Sequence, residues 1–209
     1  MRGEARRPPC GPPARRHIRP IMTHDRKPLI APPLASLPPI PDWLVRELRS
    51  DHAGETGAVM IYRGILAVAR DPGVRDFAAR HGATEQGHLD LLEQLLPQAQ
   101  RSRLLPIWKV AGFLTGALPA LFGPRAVHVT IDAVESFVDH HYQQQLDRLD
   151  AEAIHPEIRA LLAHCQQEEL DHRDEARELH GGGTGLLLRA WAWVVGSGSA
   201  AAVVAAKRI

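Results

Sequence analysis

The chain has few of the residues on which several common classes of protein depend. Only two of its 209 residues are cysteines, Cys10 and Cys165, and they form no CxxC pair. This excludes a zinc finger or an iron–sulfur site and makes a reducing compartment the default expectation. The formal net charge is only +1, so no global basic footprint points to nucleic acid, and no G-x-G-x-x-G motif for a nucleotide is present. The remaining composition is that of an ordinary globular protein, with twelve histidines that favour metal binding.

Prolines and arginines are concentrated in the first 41 residues, which begin "MRGEARRPPCGPPARRHIRP". Frequent proline excludes a regular helix, and this composition is typical of disordered segments. We therefore predict a disordered Arg/Pro-rich tail over 1–41 and one folded domain over 42–209. The tail contains no apolar core of a signal peptide, and either Met1 or Met22 can be the start.

From residue 42 onward the apolar residues repeat with a helical period, without a convincing run of strand alternation. Proline and glycine turn signals place amphipathic helices over about 42–70, 71–97, 123–150 and 155–181. Two further segments, 104–123 and 186–206, are almost entirely apolar. The sequence thus predicts an all-α fold.

Each of the four amphipathic helices carries a glutamate in the middle of its apolar stripe. Residues three or four apart share one face of a helix, which places Glu85 beside Leu92 and groups Glu55 with Leu48 and Val59. Burying an unpaired carboxylate is costly. An arginine or lysine, a shared proton or a metal ion should therefore compensate each one.

The order of these residues favours a metal. It runs Glu55, then Glu85-x-x-His88, then Glu135, then Glu169-x-x-His172, so that two similar helical hairpins follow one another. One glutamate from each of two helices and Glu-x-x-His from each of two others is the pattern of ferritin-like dimetal bundles. We predict a ferritin-like four-helix bundle with a dimetal core, to which the two apolar helices are added. Oxygen ligands with two imidazoles suit iron or manganese.

Several alternatives apply to single residues. One inward glutamate can be a structural ion pair, and a lone histidine can be a satisfied core residue. The second Glu-x-x-His match, at 152–155, is rejected because Pro156 disfavours a helical His155. Glu168 is rotated off the stripe and is expected to be solvated. Tyr142, two turns after Glu135, is either a core tyrosine or a catalytic group near the metals.

Four stretches, "DHAGETGAVMIYRG", "EQGHLDLLEQLLP", "AVESFVDHHYQQQ" and "EELDHRDEA", closely resemble the demethoxyubiquinone hydroxylase family of ubiquinone biosynthesis. The resemblance spans 42–209 and departs from the family at Ser136, which is often glutamate. It implies a di-iron monooxygenase with two irons per chain that uses O₂ to hydroxylate 2-polyprenyl-3-methyl-6-methoxy-1,4-benzoquinone, the penultimate step of the pathway. The iron ligands that it implies are Glu55, Glu85, His88, Glu135, Glu169 and His172.

The resemblance also implies peripheral association with an inner membrane, on its cytoplasmic or matrix face, and a lipid-binding partner protein of ubiquinone biosynthesis. We favour a bacterial membrane over a mitochondrial one, and an oligomer is possible. The apolar segments 104–123 and 186–206 fit helices that lie in the membrane interface, although bundle-capping helices or an oligomer interface are alternatives. Two other functions stay open: a soluble iron-storage protein and a non-catalytic membrane adaptor.

Overall fold

The computed structural model describes residues 30–33 and 36–209. This part of the chain contains six α-helices and no strand, which confirms the all-α class. A short 3₁₀ turn, Gln98–Gln100, follows the second helix. The helices are α1 (Asp42–Val68), α2 (Pro72–Leu95), α3 (Leu105–Ala120), α4 (Pro124–Glu152), α5 (Pro156–His180) and α6 (Leu186–Ala206).

The predicted tail, 1–41, falls mainly on residues outside the described ones, and its disorder stays a prediction there. Among the described residues before α1, Ala31 is buried in the core, and Leu37 and Ile40 pack against it. The last residues before the bundle are therefore attached to it.

Local signals set the helix ends. Asp71 caps α2 by accepting a hydrogen bond from the Val74 N–H at 2.9 Å, and Pro72 fills the first turn. Gly181 ends α5 in the left-handed conformation that glycine adopts without strain. His155 lies outside the helices, at the N-cap of α5 with φ 47°, so the Glu-x-x-His match at 152–155 is not a helical motif.

The bundle core consists of two apolar layers with a polar layer between them. One layer joins the start of α1 and α5 to the end of α2 and α4, with Leu48, Leu92 and Leu162 fully buried. The other joins the opposite helix ends around Phe77 and Ile131. The glutamates and histidines of the predicted site lie between the two layers, where the surrounding apolar packing keeps them from water.

Helix α3 packs against α1 through glycines. A Cβ atom at Gly116 would collide with the carbonyl oxygen of Ile61, and one at Gly112 would collide with that of Gly57. Gly64 of α1 approaches the backbone of α3 in the same way. The two backbones are therefore in direct contact, which only glycine permits.

Helix α6 runs antiparallel to α3 and lies over α4 and α1. The backbone N–H of Arg103, just before α3, donates to the carbonyl of Ile209 at 2.8 Å. The indole N–H of Trp191 donates to the hydroxyl of Thr130 in α4, also at 2.8 Å. These contacts place α3 and α6 on the same side of the bundle.

We expect Gly116→Ala to lower the free energy of unfolding by about 1–3 kcal/mol, because the added methyl group must separate two helix backbones. Gly87→Ala is the matched control. Gly87 is exposed within α2 and has no atom near its Cβ position, so this change should be neutral or stabilising by up to about 1 kcal/mol. Thermal unfolding of both variants measures the difference, and equal stabilities would contradict the backbone contact.

Candidate metal centre

The structure brings all six predicted ligand residues together in the polar layer. Each is at least 96% buried. Their potential ligand atoms form two groups in which all atoms lie within 4.8 Å of one another. The first group contains Glu55, Glu85, His88 and Glu169, and the second contains Glu85, Glu135, Glu169 and His172.

The two groups overlap in a way that suits a pair of ions. Glu85 and Glu169, the glutamates of the two Glu-x-x-His motifs, belong to both groups. Glu55 and Glu135 each belong to one. A carboxylate has two oxygens, so the shared pair can bridge two ions while the other pair binds one ion each.

Both imidazoles direct Nδ1 into the cluster. Nδ1 of His88 lies 2.9 Å from Oε1 of Glu169, and Nδ1 of His172 lies 2.9 Å from Oε1 of Glu85. These contacts are not aligned as hydrogen bonds, and the four atoms have no hydrogen-bond partner among the described residues. Buried polar atoms without partners are costly, and a metal ion bound by these lone pairs would remove that cost. The donor set therefore fits a metal pair.

The metal-free cluster retains protons. Burial raises the pKa of Glu55 and of Glu135 well above the ordinary value, and the negative charges of Glu169 and Glu85 raise it further. Burial alone would lower the pKa of His172, but the carboxylates of Glu169 and Glu85 outweigh it and raise that pKa to about 10. Burial alone would raise the pKa of Glu169. The contacts of this carboxylate with His172 and His88 outweigh burial and hold its pKa below the usual range.

Two tyrosines form hydrogen bonds to Glu55 and Glu135, the outer glutamates, which each belong to only one of the two groups. These hydrogen bonds link α1 to α4. The Tyr142 hydroxyl donates to Oε1 of Glu55 at 2.7 Å, and the Tyr62 hydroxyl donates to Oε1 of Glu135 at 3.3 Å. Burial and the neighbouring glutamate raise the pKa of each tyrosine, so both phenols stay neutral donors. Sequence reasoning singled out Tyr142 but not Tyr62. The available signal was the spacing, because each tyrosine follows its own helix's glutamate by seven residues.

The outer nitrogens of the two histidines have different neighbours. Nε2 of His88 lies 2.8 Å from Oε2 of Glu168, which corrects the expectation that Glu168 is merely solvated. If Nδ1 bound a metal ion through its lone pair, Nε2–H would be the donor in this contact. The ring of His172 instead packs edge-on against His81, with 4.1 Å between ring centroids. The two halves of the cluster are therefore not equivalent.

A cavity of about 340 Å³ leads from the cluster to the helices on one side. Glu55, Glu135 and Tyr142 lie at its inner end, and Trp108 of α3 and Trp191 of α6 line its walls. Its other polar wall is formed by Asp51, which accepts hydrogen bonds from His141 at 3.1 Å and Gln145 at 2.9 Å. An apolar molecule with a polar head can thus reach the carboxylates from between α3 and α6.

A helical bundle around four carboxylates and two imidazoles defines a class of proteins able to bind a metal pair. Within that class, a family model described as ubiquinone biosynthesis protein COQ7 matches residues 42–206. The chain belongs to this family.

Bacterial and mitochondrial relatives are both similar to the chain. The 3-demethoxyubiquinol 3-hydroxylase of Rhodospirillum rubrum is 40% identical over 140 residues, which cover 65% of each protein. A mitochondrial NADPH-dependent 3-demethoxyubiquinone 3-hydroxylase of Caenorhabditis elegans is 32% identical over 78% of this chain and 88% of the relative. The human protein of the same name is 35% identical over 62% of this chain and 61% of the relative. The match thus spans less than two thirds of the length of the bacterial and human proteins.

We expect Glu168→Gln to weaken metal binding about 10–100-fold at one of the two positions, because His88 loses the carboxylate that orients its ring and increases its basicity. Glu178→Gln, an exposed change on the same helix, is the control and should retain metal normally. The test is to titrate each variant with a chelator and compare the amount of metal that the two variants retain. Equal retention by the two variants would contradict the role assigned to Glu168.

The pKa shifts also predict how stability depends on pH. Glu55, Glu135 and His172 have raised pKa values, so between pH 6.5 and 8 these three groups bind more protons in the metal-free folded chain than in the unfolded chain, and their contribution to stability falls as pH rises. Metal binding needs the deprotonated ligands. The increase in Tm on metal loading should therefore be larger at pH 8 than at pH 6.5, and an increase that shrinks as pH rises would contradict this account.

Proposed function

We propose that the chain is a di-iron monooxygenase that uses O₂ to hydroxylate 2-polyprenyl-3-methyl-6-methoxy-1,4-benzoquinone or its reduced form, the penultimate step of ubiquinone biosynthesis. The observation that carries this proposal is that a candidate metal centre lies next to a cavity that opens between apolar helices. A buried cluster of four carboxylates and two imidazoles lies at the inner end of a cavity whose other end lies between two apolar helices. The printed names of the relatives, 3-demethoxyubiquinol and 3-demethoxyubiquinone 3-hydroxylase, support the same step.

Iron is the metal that we assign to the cluster. Four carboxylates supply about four negative charges, which two divalent ions balance, and the absence of thiolate ligands favours iron or manganese over softer metals. Bound iron would supply the activation of O₂. Glu55 with His88 would hold one ion, Glu135 with His172 would hold the other, and Glu85 with Glu169 would bridge them. This ferritin-like arrangement is the finer form of the fold that we propose for 42–209.

The cavity suits a quinone ring with a long isoprenoid tail. Its walls are mainly apolar, and its inner end is polar, so the ring would lie beside Glu55 and Glu135 with the tail between α3 and α6. We propose that Tyr142 serves the reaction by holding a proton at Oε1 of Glu55, 2.7 Å from its hydroxyl. The names of several relatives include NADPH, which supports a nicotinamide nucleotide as the ultimate electron source.

We propose a position at an inner membrane, on its cytoplasmic or matrix face, and the two apolar helices support the association with a membrane. Within the described part of the chain, α6 is the one helix long and apolar enough to cross a membrane, and α3, with 16 residues, is shorter than a span requires. Large apolar side chains are exposed on both helices, including Val110 and Leu114 of α3 and Leu187 and Trp193 of α6. We therefore propose that both helices lie in the membrane interface. A bacterial membrane, a lipid-binding partner protein and an oligomer remain predictions.

These features favour an enzyme over the two alternatives. An iron-storage shell has no need of exposed apolar helices around the entrance to its metal centre. A membrane adaptor has no need of six converging ligand residues. The combination of both features in one chain is what the hydroxylation of a membrane-bound quinone requires.

Quinone profiling of cells that lack the protein tests the proposal. We expect them to accumulate the demethoxy quinone, and the unaltered chain should restore ubiquinone. Glu169→Gln should not restore it, because glutamine keeps the shape but removes a bridging charge. Glu178→Gln, which leaves the cluster intact, should restore it fully. Full restoration by Glu169→Gln would contradict the assignment of Glu169 as a ligand, and an unchanged quinone profile in the deletion would overturn the function itself.

A further inference from the structure

Acidic residues are absent from two regions of the chain. Residues 101–131 and 179–209, which contain α3 and α6, hold seven lysines and arginines but no aspartate or glutamate. The rest of the folded chain, 42–100 and 132–178, holds ten basic and 22 acidic residues, a formal charge of −12. Four of these acids belong to the central cluster, and a clear acidic excess remains without them. The folded chain therefore consists of two parts whose net charges have opposite sign, +7 and −12, while residues 1–41 contribute +6.

The cations of the basic regions lie at both ends of the antiparallel pair. Arg103 and Arg208 are exposed at one end, where the N–H of Arg103 bonds Ile209. Arg125 and Arg189 are exposed at the other, where Arg125 donates to the carbonyls of Gly182 and Gly183. The side chains between these ends are largely apolar. The cations at the two ends and the apolar side chains between them form a surface that we call the basic-apolar face. It is built by α3, α6 and the turns beside them.

Most of these cations have no internal anion. Within residues 30–33 and 36–209, Arg103, Lys109, Arg189 and Arg208 form no ion pair with a carboxylate. The two exceptions in the basic regions are Arg101, which pairs with Glu93, and Lys207, which pairs with Glu47. On α2 and α5 the pattern differs, since Arg80 pairs with Glu175, Arg159 with Asp150 and Arg173 with Asp139. The charges of the basic-apolar face are therefore available to an external anion.

A bilayer that carries anionic headgroups fits this face better than a soluble anion. A free phosphate would be bound by the cations but would leave the apolar side chains between them in water. An anionic bilayer meets both parts, with headgroups against the two basic ends and acyl chains against the apolar centre. The acidic body of the bundle is repelled by the same surface, which favours one orientation.

We propose that the basic-apolar face selects bilayers rich in anionic phospholipid, and that the cations at its two ends supply this selectivity. The proposal rests on the membrane position assigned under the proposed function. The apolar side chains give binding to any bilayer, whereas the charges decide between bilayers. The entrance of the cavity would then face the anionic leaflet.

Flotation of the full-length, metal-loaded protein with vesicles tests the proposal. We expect much tighter binding to vesicles of phosphatidylcholine with 30% phosphatidylglycerol than to phosphatidylcholine alone, with the difference diminishing as salt is added. Arg103→Gln combined with Arg189→Gln and Arg208→Gln should weaken binding to the anionic vesicles about 100-fold, at about fivefold for each charge. Binding of this variant to the neutral vesicles should change little.

The control carries three equivalent changes, Arg80→Gln, Arg159→Gln and Arg173→Gln, on α2 and α5. It alters the net charge by the same amount and should bind anionic vesicles nearly as the unaltered chain does. Equal loss in both triple variants, or equal binding of the unaltered chain to both kinds of vesicle, would overturn the proposal while leaving membrane association intact. Failure of the unaltered chain to bind any vesicle would instead overturn the membrane position itself, whatever the quinone profile shows.

Discussion

The fold depends on the burial of four carboxylates and two imidazoles in the middle of a helical bundle. Without compensation this layer is costly, because the carboxylates repel one another and several ligand atoms lack hydrogen-bond partners. In the metal-free state retained protons reduce the charge, as the raised pKa values of Glu55 and Glu135 indicate. Two divalent ions would replace those protons and satisfy the lone pairs at once. The stability of the bundle and the chemistry of its centre are thus linked.

The layers around this centre follow from it. Apolar layers above and below keep water away, and tyrosines that cross between α1 and α4 hold the outer glutamates. The cavity gives one side of the cluster access to α3 and α6, while α2 and α5 close the other. Substrate and solvent are thereby separated, so that an apolar molecule would enter from the side where the chain exposes apolar and basic residues.

Much of the fold and the six clustered residues could be predicted from the sequence, because both depend on short-range periodicity. The helical repeat, the proline and glycine turn signals and the position of each glutamate on its stripe are local properties. Glu168 and Tyr62 were missed because their contacts depend on how neighbouring helices are rotated against each other. The cavity and the contact of Gly116 with Ile61 depend on the same geometry, which one helix alone does not determine.

The central claim is that the polar layer is built for two iron ions, and metal analysis tests it most directly. The protein purified under conditions that retain metal should contain about two irons per chain, and Glu135→Ala should lose much of this iron while remaining helical. A single zinc ion per chain, or a metal content that Glu135→Ala leaves unchanged, would contradict the account.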